Sequence, residues 1–114
     1  MNAEKEIEVL EGLILEIKNE IMGLGEIRNG SVSEQYNVCG NPTCRCKDKE
    51  NPQKHGPYFQ HSYSFNKKST SQFVSAENID KVRQHIADYK TFMKLKDEWL
   101  GASIQLSKLR KKLK

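Results

Sequence analysis

Apolar residues open the chain in a regular rhythm. Ile7, Leu10, Ile14, Ile17, Ile21 and Leu24 lie alternately three and four apart. That is the a/d seam of an amphipathic helix, and it predicts one over about residues 3 to 22, closed by Gly23 or Gly25. Leu13, Leu15 and Met22 fall off the seam and widen the apolar face, so this helix should meet more than one neighbour. After the turn residues Asn29 and Gly30 the period changes to two. Val32, Tyr36 and Val38 mark a short strand over residues 31–38. From Tyr58 to Phe65 the alternation is strict. Phe59, His61, Tyr63 and Phe65 share one face, and Tyr58, Gln60, Ser62 and Ser64 share the other. The aromatic face reads as the side of a sheet that packs on a helix. Residues 66–69 predict a turn, and residues 70–74 the strand that returns from it.

Ser75 carries the signal of a helix N-cap, with Glu77 and Asp80 suited to the positive first turn. The second helix should run from about residue 76 almost to the end. Its first seam is Ile79, Val82, Ile86, Tyr89 and Met93; its second is Phe92, Leu95, Trp99, Ala102, Leu106, Leu109 and Leu113. The change of phase between Met93 and Leu95 predicts that the first half covers the sheet and the second half pairs with the first helix. The expected fold is α+β and a single domain of residues 1–114, in three parts (1–28, 29–75 and 76–114). A three-stranded antiparallel sheet, with a zinc-knuckle loop between its first two strands, is flanked by an N-terminal helix and a long C-terminal helix. The helices pair as a coiled-coil-like hairpin, or across a dimer.

Composition alters this picture in one respect. Only 36% of residues are apolar against 30% charged, a lean core that calls for a metal, a second subunit or both. Charge is also divided: residues 1–28 are acidic on balance and residues 76–114 basic, which suits the helices to each other. No apolar run is long enough to span a membrane, and the N-terminus has no signal-peptide core, so a cytoplasmic setting is expected. There, clustered cysteines bind metal more often than they cross-link.

The cysteines supply the chemistry. Cys39, Cys44, Cys46 and His55 have the spacing C-x4-C-x-C-x8-H, within a segment too polar to bury a core but able to wrap an ion. Three thiolates and an imidazole make the donor set of a closed, tetrahedral structural Zn2+ site. His61 is the alternative fourth ligand, and His85, on the second helix, reads as a surface residue. A closed site leaves no position for water. The chain also lacks a glycine-rich phosphate loop and a nucleophile elbow, so no catalytic role is expected. Arg45, Lys47 and Lys54 around the metal loop, with Lys67 and Lys68 at the hairpin turn, are candidate phosphate contacts for DNA or RNA. The rival expectation is a protein–protein adaptor, in which the helices form an oligomerisation platform and the zinc sheet a recognition head.

Gly30-Ser31, Tyr36, Cys39-Gly40, Cys44-Arg45-Cys46 and His55-Gly56-Pro57-Tyr58-Phe59 together resemble a small, largely uncharacterised prokaryotic family. Its pattern is G-S-x4-Y-x2-C-G-x3-C-R-C followed by H-G-P-Y-Y or H-G-P-Y-F, a lysine-tipped strand pair and a long helix. The resemblance covers about residues 29–95. It implies a bacterial, archaeal or phage source, a mobile-element or phage-like setting with DNA-related roles, and a fixed role for the Cys/His set. It implies no reaction.

Overall fold

The computed structural model describes residues 2–113. In chain order the elements are α1 (Ala3–Met22), β1 (Ser31–Asn37), β2 (His55–Phe65), β3 (Lys68–Val74) and α2 (Ile79–Lys112). This is the expected α+β arrangement. The chain divides into two compact units, Met1–Ile27 with Ala87–Lys114, and Arg28–Ile86. α2 supplies its first turns to the second unit and the rest of its length to the first.

The helical unit is an antiparallel hairpin within one chain. Asn2 caps α1 by accepting the Lys5 N–H on Oδ1 at 2.9 Å, and the Gly23 N–H closes the helix on the carbonyls of Asn19 and Glu20. The seam predicted from the sequence faces α2, and its middle member, Ile17, is 2% exposed. Leu95, Ala102 and Leu106 of α2 are buried in the same unit. Polar contacts set the antiparallel direction. Arg110 meets Glu11 at 3.3 Å, the Lys18 ammonium lies 5.1 Å from the centre of the Trp99 ring, and the Gly25 N–H donates to the Asp88 carboxylate at 3.0 Å. Lys114, the last residue of the basic tail, lies outside the described residues.

The sheet unit has the strand order β1-β2-β3, with both pairings antiparallel. Val32 and Gln72 flank His61, and Glu34 and Val74 flank Phe59, so these residues share a face. Ile79, Val82 and Ile86 of α2 are buried in this unit, and Phe59 and Tyr63 are half-buried. Arg83 ties the helix to the sheet, 3.0 Å from Glu34 and 5.5 Å from the centre of the Phe59 ring. His61 is buried. Its Nε2 lies 2.7 Å from the Asn29 carbonyl, the geometry of an N–H donating to C=O, and its Nδ1 has no partner among the described residues. Gly30 takes φ +94°, and a Cβ there would collide with the Ser62 carbonyl, so the chain enters β1 through a position only glycine fits.

Several boundaries and one burial differ from expectation; β2, for one, begins at His55 rather than Tyr58. α2 begins at Ile79, not residue 76. The Asn78 N–H closes a turn on the Ser75 carbonyl at 3.0 Å, and the Asn78 carbonyl then accepts the Val82 N–H at 3.0 Å. Ser75 is therefore a turn residue rather than the N-cap, and Glu77 precedes the helix. The hairpin turn is two residues, Asn66 and Lys67, both with positive φ, the geometry that follows strand twist; Lys68 already pairs with Phe65. Phe65, expected on the packed face, is 69% exposed because β2 runs on past the residues that α2 covers.

Candidate metal centre

The loop from Val38 to Lys54 is organised by its own backbone. Asn41 Oδ1 accepts the Thr43 N–H at 3.0 Å and the Thr43 hydroxyl at 2.8 Å, while its carbonyl accepts the Cys44 N–H at 3.2 Å. This bends the chain back after Cys39. A single 3-10 turn follows at Arg45–Lys47, with the Lys47 N–H on the Cys44 carbonyl at 3.0 Å. The Gln53 N–H then reaches the Arg45 carbonyl at 3.0 Å and returns the chain to β2. His55 opens β2 and pairs with Asn37, two residues before Cys39. Sheet register therefore fixes the imidazole opposite the first cysteine.

Gly56 makes that placement possible. It has φ +136°, and a Cβ there would lie 2.7 Å from the Gln35 carbonyl oxygen and 3.0 Å from the Tyr36 ring. Across from it, the pairing shifts between Gln35 and Asn37, so β2 carries an extra residue. The glycine of the His55-Gly56-Pro57 run thus lets β2 bulge against β1 while His55 turns to the cysteines.

The four ligand atoms lie within 4.8 Å of one another. Cys39 and Cys46 sulfurs are 3.6 Å apart, and the Cys44 sulfur is 3.2 Å from His55 Nε2. A tetrahedral ion with metal–sulfur bonds near 2.3 Å has sulfur–sulfur edges of about 3.8 Å, and sulfur–nitrogen edges of about 3.5 Å. These two spacings lie close to those edges. The Cys39 N–H also donates to the Cys46 sulfur at 3.3 Å, a bond that favours a thiolate. These four side chains could hold a metal ion. His61 does not join them, its Nε2 being spent on Asn29; the imidazole grouped with the three sulfurs is that of His55. His85 is half-buried rather than superficial, and its Nδ1 accepts the Arg28 Nε–H at 3.0 Å.

The electrostatics match. Hydrogen bonding from the Asn41 backbone, then from His55, holds the Cys39 thiol down at about 6. The Cys46 backbone pulls Cys44 below the usual thiol range. Burial, acting first, pushes Cys46 up, with the neighbouring cysteines adding to it. His55 is raised by Cys39 and then Cys44. Two sulfurs are thus poised to ionise, while the third, buried beside them, resists a further negative charge unless a cation is there to receive it.

The candidate phosphate contacts fall in two places. Arg45, Lys47 and Lys54 surround the ligands, all exposed and in no ion pair among the described residues. Lys67 and Lys68 lie at the far end of β2, about 33 Å along the strand from His55. Sequence reasoning missed Phe73. It is 77% exposed, and with Tyr58, itself exposed, it lines a concavity of about 510 Å³ at the knuckle end of the sheet. Its signal was present: Phe73 and Val74 are adjacent in a strand, so one of them must face away from the helix.

Fold and site define an α+β protein built around a Cys3His cluster able to hold a metal ion. The chain belongs to a family described as a domain of unknown function (DUF6788), which matches residues 7–84, more than half its length. Neither the curated proteins nor the solved structures yield a match. No helix among the described residues is long and apolar enough to cross a membrane.

Proposed function

We propose that this chain is a zinc-stabilised, non-enzymatic nucleic-acid-binding accessory protein. Zinc is the ion that best suits three thiolates and an imidazole at tetrahedral spacing. Four protein donors complete its shell, so its role is to hold the loop. The observation that carries the nucleic-acid reading is the company the ligands keep. Arg45, Lys47 and Lys54 project unpaired around them, and exposed Tyr58 and Phe73 stand at the same end of the sheet. Cations would meet phosphates and the rings would meet unstacked bases. Lys67 and Lys68 would extend phosphate contact along β2. The mobile-element or phage setting implied by the sequence resemblance is part of this proposal.

The test is a titration of metal-loaded protein with labelled single-stranded DNA, duplex DNA and RNA. Between about 50 and 200 mM salt, affinity should fall roughly 40- to 500-fold for three to five phosphate contacts. Lys47→Ala and Lys54→Ala should reduce that slope by about one contact each. Absence of binding to all three probes at about 50 mM salt overturns the proposal.

A further inference from the structure

Among the described residues, the helical unit buries four apolar side chains, Ile17, Leu95, Ala102 and Leu106, while leaving large ones in water. On α1, Val9 is 59% and Leu13 43% exposed. They belong to a second row beside the seam, Glu6-Val9-Leu13-Glu16-Glu20, again spaced three and four apart. On α2 the row Gly101-Gln105-Lys108-Lys112 has the same spacing. The two rows flank one groove of about 460 Å³, with Val9, Leu10 and Leu109 apolar within it, Glu6 on one wall, and Lys108 and Lys112 on the other. Nothing lies within 4 Å of a Cβ built on Gly101, so this part of α2 is open to close approach.

Charge selects what covers the groove. Residues 1–27 hold seven acidic and two basic side chains, and residues 87–114 three acidic and eight basic. Glu6, Glu16, Glu20, Lys108 and Lys112 form no ion pair among the described residues. One surface thus carries a row with three glutamates beside a row that ends in two lysines, none of them in an ion pair among the described residues. Such a surface is complementary to itself, as a two-fold interface must be. A two-fold axis along the helices sets each α1 antiparallel to the partner's α2, acid against base. An axis across them would set acid against acid.

We propose that this groove face is a self-association surface, where a second copy of the chain packs its α1 row against the α2 row and closes an antiparallel four-helix bundle. The interface buries Val9 and Leu13 of both copies at its centre, with Glu6 facing Lys108 and Lys112 of the second copy at its rim. It is independent of what the knuckle binds.

Sedimentation velocity of the full, metal-loaded chain tests it. The wild type should sediment as a dimer at micromolar concentration. Leu13→Glu should weaken dimerisation at least roughly tenfold, with metal content and helical ellipticity unchanged, since Leu13 is exposed in the single chain. A second pair of variants separates loss of interface from loss of fold. Glu6→Lys and Lys108→Glu/Lys112→Glu should each dimerise poorly alone and form a heterodimer when mixed. A wild type that stays monomeric at about 100 μM, a dimer indifferent to Leu13→Glu, or charge variants that do not pair on mixing would each overturn the proposal.

Discussion

The two units answer the same shortage of apolar residues in different ways. In the helical unit an apolar seam centred on Ile17 supplies the cohesion, and exposed ion pairs such as Arg110–Glu11 set direction. In the sheet unit, the stretch between β1 and β2 has Cys46 as its one buried side chain, and hydrogen bonds shape it so that four atoms that could hold a metal ion come together. One part of the chain coheres by excluding water; the other gathers four donors around a point where an ion could sit. A small protein can combine both, provided each is confined to its own stretch of sequence.

Four experiments would break or sharpen that contrast. The largest effect should come from chelation, or from Cys46→Ser. Structural zinc sites contribute on the order of 10 kcal/mol to folding, so the sheet unit's dispersed amide resonances should collapse, while most helical ellipticity remains. Equal loss of both units would show that they do not fold separately. Next, Ile17→Ala should cost about 2–4 kcal/mol in the helical unit, read as a lowered urea midpoint, with metal stoichiometry unchanged. Gly56→Ala should cost about 1–3 kcal/mol and weaken metal binding, because a Cβ at φ +136° strikes the Gln35 carbonyl and displaces His55; a competitive chelator titration reads it. Smallest is Arg110→Ala, which should change stability by about 0.5 kcal/mol or less, its pair with Glu11 being more than half exposed on both sides.

Much of this was legible beforehand because the relevant forces are local. The three-and-four spacing from Ile7 to Leu24 places Ile17 at the centre of the packed face, and the structure buries it there. The grouping of Cys39, Cys44, Cys46 and His55 was legible from composition, since Cys, His and turn formers crowd one segment. What escaped was decided by partners distant in sequence. His61 alternates with the aromatics and competes with His55 as a donor until Asn29, thirty-two residues earlier, is seen to occupy it. Ser75 satisfies the local criteria for an N-cap, yet the turn to Asn78 delays the helix by three residues. Phe65 was expected on the packed face, but cover ends before it, and Phe73, which the pattern did not single out, lies on the other side of the sheet.

The 3.6 Å between the Cys39 and Cys46 sulfurs bears on storage. With no ion bound, in aerated buffer, that thiol pair can yield two electrons and two protons to dissolved oxygen, giving hydrogen peroxide, and join, sealing a short covalent ring whose two sulfurs are no longer open to a metal. Cys44 is then the odd thiol, free to link one molecule to another. Aged, metal-free samples should therefore show a reductant-sensitive band at twice 13.2 kDa on denaturing gels, a species that added zinc should suppress.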